Sequence, residues 1–316
     1  MSIFHLGRKN NSDALPGEVS EIAAVRGMSA GQIITAVRTS SSLKLISWRA
    51  SASGPITKLA DSGDQAGAAS HIDIVQGKRI VTAFRTGNGN LKLVSWHVDT
   101  TTGAITRAGD SGTQAGTASR IKIALLTNTR FVTAFRSGDG RIKLISWSLQ
   151  ADGSLRRLAD SGNAGDPAAE ISLLRLATTA GSIHNFVTPI IDPAGNLKVI
   201  RWKVSTSGEF TRVSDSGVLA SGASAVRVTA APLNRPVVAF WNQVGHAKLI
   251  VCRLTPDGGV QRLGDTGTDA GAVPIDSLGG EHNGVVSAGR APDGTLKLIG
   301  WSVDDDGNIV RRTDSG

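Results

Sequence analysis

The sequence predicts an all-β protein made of six copies of one four-stranded unit, and three observations support this prediction. The tripeptide Asp-Ser-Gly, replaced by Asp-Thr-Gly in one copy, recurs roughly every 50 residues along the chain. Each copy contains four short runs in which apolar and polar residues alternate, and these runs are rich in β-branched side chains. No segment has the apolar periodicity of a long amphipathic helix, and the 38 glycines recur mainly in the turns between the runs.

The second copy shows the four predicted strands, which we name A to D in chain order. They are HIDIV (71–75), RIVTAFR (79–85), NLKLVSWHV (90–98) and AITRAG (104–109). Clusters of Gly, Asn, Asp and Thr separate these runs, as expected for hairpin turns. The same order recurs in the third copy, so each unit is predicted to be an antiparallel meander of four strands.

Repeats of about 40 to 50 residues with four short antiparallel strands are typical of β-propeller blades. The order of elements resembles that of WD-type blades, although the Gly-His and Trp-Asp dipeptides of WD repeats are absent from this chain. This architectural resemblance implies a six-bladed β-propeller in a single domain over residues 1–316. The predicted blades span approximately 18–63, 64–112, 113–162, 163–217, 218–267 and 268–316.

The two ends of the chain leave the closure of the propeller open. Residues 1–17 are predicted to form an N-terminal arm or an extra strand, because Ile3–Gly7 resembles strand D of the fifth copy. In an alternative scheme, residues near Val19 to Val25 form an outer strand that completes the last blade.

Composition excludes several classes of function. The single cysteine, Cys252, excludes an internal disulfide framework and a multi-cysteine zinc site, and we expect neither metal nor cofactor. The chain has no run of about 18 apolar residues and no signal peptide, so we expect no membrane span and a cytoplasmic or non-classically exported protein. The formal charge of +8 would attract polyanions. Nucleic acid nevertheless ranks below other partners, because the basic residues recur beside acidic ones and form no continuous basic stripe.

Three charged positions recur in the repeat. The aspartates of the Asp-Ser/Thr-Gly turns are Asp61, Asp110, Asp160, Asp215, Asp265 and Asp314. Near the start of strand C stand Lys44, Lys92, Lys143, Lys198, Lys248 and Lys297. Four copies end strand B on an arginine, namely Arg38, Arg85, Arg136 and Arg290. In a meander the end of strand B, the start of strand C and the end of strand D lie on the same side of the blade, so we expect these charged residues to cluster.

A four-residue turn between strands B and C would place Arg85 directly opposite Lys92, with Asp110 between the two cations. We interpret the Lys and Asp positions as a structural clasp. The alternative is that the strand-B arginines bind a ligand. Tryptophan recurs at the end of strand C in five copies, with Cys252 in its place in the fifth, and is expected to pack between blades.

Positions that break the repeat are candidates for a single functional site. His184, Glu281 and His282 fall in two connections between strands A and B, and their side chains suit acid–base or metal chemistry. In the fifth copy Trp241 takes the place of the strand-B arginine and His246 lies in the following turn, a pair that suits an acidic or carbohydrate ligand.

Three functions follow from these patterns. The first is a non-catalytic binding protein that recognises a glycan or a small anionic ligand at repeated sites, and it resembles lectin propellers in blade number. The second is a hydrolase, isomerase or cyclase with one site at the central channel. The third is a scaffold for a protein partner. The oligomeric state stays open.

Overall fold

The computed structural model describes residues 19–39, 42–51, 55–162, 164–177, 183–267, 271, 273, 275–281, 284–291 and 293–315. The strands of the first three sheets are β1 (Glu21–Arg26), β2 (Gln32–Arg38), β3 (Leu43–Arg49), β4 (Thr57–Asp61), β5 (Ala69–Gln76), β6 (Ile80–Thr86), β7 (Leu91–Val98), β8 (Ile105–Asp110), β9 (Ala118–Thr127), β10 (Arg130–Ser137), β11 (Ile142–Leu149) and β12 (Leu155–Asp160).

The remaining strands are β13 (Glu170–Ile171), β14 (Leu174–Arg175), β15 (Ile183–Ile191), β16 (Leu197–Ser205), β17 (Phe210–Asp215), β18 (Ser224–Ala231), β19 (Arg235–Trp241), β20 (Ala247–Leu254), β21 (Val260–Asp265), β22 (Ile275–Glu281), β23 (Gly284–Arg290), β24 (Leu296–Val303) and β25 (Ile309–Asp314). A 3-10 turn, Pro232–Asn234, separates β18 from β19. Among the residues described, no helix is long and apolar enough to cross a membrane.

The strands form six antiparallel sheets, each a meander of consecutive strands, and they confirm the predicted all-β fold of six four-stranded propeller blades. Blade 4 differs only in that its first strand is broken into β13 and β14, both of which pair with β15. Each sheet lies within one of the six blade ranges predicted from the repeat. Two compact units are present, one containing β1–β12 and the other β13–β25.

The alternative closure scheme is wrong for the N-terminal strand. β1 pairs with β2, with Glu21 opposite Arg38, and so forms strand A of the first blade. Residues 1–17, predicted as an arm or extra strand, lie outside the described residues.

The register between strands B and C also differs from the prediction. Lys92 lies opposite Phe84, and Arg85 lies opposite Leu91. The reason is a turn of three residues instead of four: Thr86 donates its N–H to the carbonyl of Asn90 at 2.9 Å, and Gly89 takes a φ of +85°. A shift of one residue moves a side chain to the other face of the sheet, so Arg85 and Lys92 face opposite ways.

The core lies between neighbouring blades and contains the recurrent tryptophans. Trp147 of blade 3 is fully buried and packs in one cluster with Val81, Leu91 and Leu93 of blade 2. Its indole N–H donates to the hydroxyl of Thr133 at 2.9 Å. The same bond joins Trp48 to Thr35, Trp96 to Thr82, Trp202 to Thr188 and Trp301 to Ser287. These indoles are structural, because both their rings and their N–H groups are used within the core.

Candidate ligand-binding grooves

The Asp-Ser-Gly turn fixes the end of strand D to strand C of the same blade. In blade 2, Ser111 accepts the N–H of Leu93 at 3.0 Å and returns its own N–H to the carbonyl of Leu93 at 2.9 Å. Asp110 accepts the N–H of Gly112 at 2.7 Å. The serine or threonine bond to strand C recurs in all six blades. The recurrence of this tripeptide in the sequence is therefore explained by local structure.

The turn aspartate also forms ion pairs with basic side chains. Lys92 lies 3.1 Å from Asp110, Lys143 lies 3.6 Å from Asp160, and Lys297 lies 3.7 Å from Asp314. Every turn aspartate pairs with a cation three residues before it on strand D, which sequence reasoning missed. These cations are Lys58, Arg107, Arg157, Arg212, Arg262 and Arg311. The sequence could have indicated these cations, because a basic residue recurs three positions before every turn aspartate.

The strand-D arginine connects its blade to the linker that precedes the blade. Arg157 of blade 3 donates Nη1–H to the carbonyl of Gln114 at 2.9 Å, and its backbone N–H to Oε1 of Gln114 at 2.8 Å. Arg107 of blade 2 makes the same two bonds to Gln65. The clasp therefore consists of turn aspartate, strand-C lysine and strand-D arginine, and it holds the linker against the sheet.

The clasp is charged at neutral pH. Burial raises the pKa of Asp110, but the N–H of Gly112 and the cations Lys92 and Arg107 lower it more, so the net pKa lies below its usual range. In blade 1 the hydrogen bond from Lys58 is the main reason that the pKa of Asp61 is lowered, and Lys44 adds to it at longer range.

Two grooves occupy equivalent positions beside this clasp. The blade-3 groove, of about 320 Å³, is lined by linker residues 115–117, Phe135, turn residues 137–139, Lys143, Ile145 and Arg157. The blade-5 groove, of about 200 Å³, is lined by linker residues 220–221, Phe240, turn residues 242–244, Lys248, Ile250, Arg262 and Asp265. The same repeat positions supply the phenylalanine, the isoleucine, the lysine and the arginine in both grooves.

Each groove combines an apolar floor with hydrogen-bonding groups of both kinds. In the blade-5 groove, Phe240 and Ile250 form the floor, while Lys248 and Arg262 offer donors and Asp265 an acceptor. A polyhydroxylated ligand needs this mixture, because each hydroxyl both donates and accepts, whereas a ring face covers apolar surface.

The strand-B arginines lie on the opposite face of their sheets from the strand-C lysines and line neither groove. Arg38 forms an ion pair with Glu21 at 3.3 Å. Arg85, Arg136 and Arg290 instead cover the glycine of the following turn, so that a Cβ added at Gly89 would come within 3.4 Å of Nη2 of Arg85. Ligand binding by these arginines stays a prediction.

The divergent residues of blade 5 are also outside the blade-5 groove. Trp241 packs against the apolar cluster shared by blades 5 and 6. The backbone N–H of His246 donates to Oδ1 of Asn242 at 2.9 Å, which places it in the turn between strands B and C. Their turn neighbours Asn242 and Gln243 line the groove instead.

Of the three predicted catalytic candidates, His184 is the one whose side chain lies among the described residues. His184 is buried, and its Nδ1 lies 3.1 Å from Nη2 of Arg175. Burial, and then the charge of Arg175, lower the pKa of His184, so its imidazole is neutral at neutral pH. Glu281 ends β22, and His282 lies outside the described residues. No group of His, Cys, Asp or Glu in the described part of the chain has a geometry that could hold a metal ion.

Comparisons with known proteins agree with the fold. No protein-family model matches the chain, and no curated protein matches it in sequence. The periplasmic gluconolactonase of Pseudomonas aeruginosa is similar with a TM-score of 0.68 and 11% identity over 93% of this chain and 84% of its own.

The lectin SapL1, solved in complex with alpha methyl fucoside, is similar with a TM-score of 0.54 and 13% identity over 92% of this chain and 94% of its own. Sqt1 of Saccharomyces cerevisiae is similar with a TM-score of 0.58 and 13% identity over 96% of this chain and 77% of its own. At these identities the likeness shows the fold alone, and the fold supports both enzymes and binding proteins.

Proposed function

We propose that the chain is a glycan-binding protein that holds one sugar in each of its clasp-side grooves. The observation that supports this function is the equivalence of the blade-3 and blade-5 grooves, which the same repeat positions form in two different units of the chain. A catalytic site needs to be built only once, whereas repeated weak sites raise avidity for a multivalent ligand. The likeness to the lectin SapL1 is consistent with this proposal.

The groove lysine is the best residue to test, because the ion pair between the turn aspartate and the strand-D arginine stays in place when the lysine is neutralised. In the blade-5 groove the ion pair described for Asp265 is with Arg262, so Lys248→Gln leaves that pair in place. In the blade-3 groove Lys143 lies 3.6 Å from Asp160, which keeps its closer pair with Arg157. Loss of one charged hydrogen bond to a sugar oxygen weakens binding by roughly 10- to 100-fold.

The experiment is a glycan array followed by isothermal titration calorimetry with the best monosaccharide on the array. Wild-type protein should bind more than one sugar per chain. The double variant Lys143→Gln, Lys248→Gln should bind more weakly, and Lys78→Gln, an exposed lysine outside both grooves, should bind like wild type. Equal binding by the double variant and the wild type would refute the groove assignment.

The alternative function is an enzyme with one site, and the likeness to the periplasmic gluconolactonase of Pseudomonas aeruginosa supports it. Hydrolysis of glucono-δ-lactone by the wild-type chain, above the spontaneous rate and without glycan binding on the array, would favour the enzyme. A chain that gives no signal in either assay would favour the protein-interaction scaffold.

A further inference from the structure

Blade 4 breaks the repeat at one position of strand C, where Arg201 stands in place of a serine. Blades 1 and 2 carry Ser47 and Ser95 there. Those serines donate their hydroxyls to the turn between strands C and D of the next blade, to the carbonyl of Gly103 at 2.6 Å and to that of Gly153 at 2.5 Å. In these two blades the serine hydroxyl therefore forms a hydrogen bond that joins one blade to the next.

Blade 4 keeps this contact by another route. Ser214 of β17 donates its hydroxyl to the carbonyl of Gly258 at 2.6 Å, in the matching turn of blade 5. Blades 1 and 2 have Ala60 and Gly109 at the position of Ser214, and neither side chain can make such a bond. Because Ser214 supplies the structural bond, Arg201 is not required for it.

Arg201 is a buried cation whose hydrogen bonds all go to neutral acceptors. The residue is only 8% exposed. Its guanidinium donates from Nε and Nη2 to Oδ1 of Asn185, at 3.3 and 3.1 Å, and from Nη1 to the carbonyl of Thr255 at 3.1 Å. Among the described residues no carboxylate forms a direct ion pair with it, and the charge of Asp257 acts on it only at longer range. A buried charge without a direct counterion is costly. Burial lowers the pKa of Arg201, but an arginine stays charged at neutral pH.

Arg201 opens onto a cleft of about 550 Å³ that three further cations line, Lys203, Arg235 and Arg253. Arg235 donates Nη1–H to the backbone carbonyl of Asp304 at 2.8 Å, and Arg253 donates Nε–H to the side-chain amide of Gln261 at 2.9 Å. No Asp or Glu side chain is among the described residues that line the cleft. The described lining of the cleft therefore concentrates positive charge.

One wall of the cleft is held in an unusual backbone conformation. Leu233 and Asn234 both have a φ of +59°, a region that residues other than glycine rarely occupy. Asn234 accepts the N–H of Ala177 at 2.7 Å and donates its amide to the carbonyl of Ala177 at 2.6 Å. The side chain of Leu233 is 65% exposed, and that of Ile183, which also lines the cleft, is 49% exposed. The cleft thus pairs a cationic floor with apolar walls.

We propose that this cleft binds a small organic phosphate or sulfate monoester, with the oxyanion on Arg201 and its cationic neighbours and the organic group against Leu233 and Ile183. Three of the five guanidinium N–H donors of Arg201 bond to Asn185 and Thr255, which leaves two for the oxygens of an oxyanion. The volume lies in the range of small-molecule sites. The described residues that line this cleft lie mainly on strands B and C of blades 4 and 5 and on the 3-10 turn between β18 and β19, and none of them lines a proposed glycan groove.

The test is isothermal titration calorimetry at low ionic strength with inorganic phosphate, inorganic sulfate and phenyl phosphate. Wild-type protein should bind one phenyl phosphate per chain, more tightly than inorganic phosphate. Arg201→Ser, which restores the residue of blades 1 and 2, should weaken binding by tenfold or more, on the order expected for losing a charged hydrogen bond. Arg201→Lys keeps the positive charge but loses the planar set of guanidinium donors. Its affinity for phenyl phosphate should therefore lie between those of the wild type and of Arg201→Ser.

Arg49→Ser is the matched control, because Arg49 is an exposed arginine at the end of strand C in blade 1. It should bind phenyl phosphate like wild type. If Arg201→Ser does not fold by circular dichroism, Arg253→Gln replaces it, since Arg253 is exposed, and should weaken binding several-fold. Absence of saturable phosphate or phenyl phosphate binding by the wild type, or equal binding by the Arg201 variants, would overturn the proposal. Glycan binding at the grooves should be unaffected in either case.

Discussion

The hydrogen bond between Thr133 and Trp147 gives a sharp test of how the blades are held together. The hydroxyl of Thr133 is fully buried, accepts the indole N–H at 2.9 Å and donates to the carbonyl of Ile145 at 3.3 Å. Thr133→Val keeps the shape of the side chain but leaves the indole N–H without a partner. A buried donor without a partner costs about 1–3 kcal/mol, so we expect the free energy of unfolding to fall by that amount.

Blade 5 shows that the two partners change together. There Val238 stands at the threonine position and Cys252 at the tryptophan position, so no indole N–H needs an acceptor. Trp147→Phe is accordingly the second substitution of a double-mutant cycle. Once the indole N–H is absent, Thr133→Val should cost less than in the wild type, by about 1 kcal/mol or more.

The assay is urea unfolding followed by far-ultraviolet circular dichroism and by tryptophan fluorescence, whose agreement tests whether the transition is two-state. Thr133→Ser, the residue type that blade 6 carries as Ser287, is the control that keeps the acceptor. An equal cost of Thr133→Val in the Trp and Phe backgrounds would show that the hydroxyl stabilises the fold in another way than by holding the indole.

Two further predictions concern titratable groups. The folded-state pKa of Asp110 is lowered, so its contribution to stability is present above the unfolded-state pKa of about 3.9 and is lost as the pH falls through the folded-state value. The difference in unfolding free energy between wild type and Asp110→Asn should therefore be largest at neutral pH and shrink on acidification; a constant difference in urea titrations would contradict this. Burial raises the pKa of the Cys252 thiol to about 12, so the folded chain should react with a thiol reagent at pH 8 only after denaturant is added. Rapid labelling of the folded chain would contradict the burial.

The strands and the core could be predicted from the sequence because their signals are local and sixfold. Alternation of apolar residues defines a strand within a few positions, and Gly-rich turns separate one strand from the next. A tryptophan that recurs at the end of strand C, as Trp96 and Trp147 do, is most simply explained by a packing requirement common to the blades. These features need no knowledge of which residues meet across the chain.

Register and partner choice depended on tertiary structure. One residue more or less in the turn before Asn90 decides whether Phe84 or Arg85 lies opposite Lys92, and the length of such a turn depends on how Gly89 can be placed. The partners of Asp110 follow from this register, together with a strand-D arginine whose guanidinium meets the preceding linker.

The two candidate sites also depend on tertiary structure. The grooves are formed by linker and blade residues that are distant in sequence, so the repeat indicates their residues but not their convergence. The cleft at Arg201 depends on Ser214 of strand D, whose hydroxyl bonds to the carbonyl of Gly258 in place of a strand-C serine. The sequence alone determined the six units and their strands, since alternation and turn chemistry act between neighbours along the chain. Only the tertiary structure decided which charges form ion pairs, because that depends on the packing of residues that are distant along the chain.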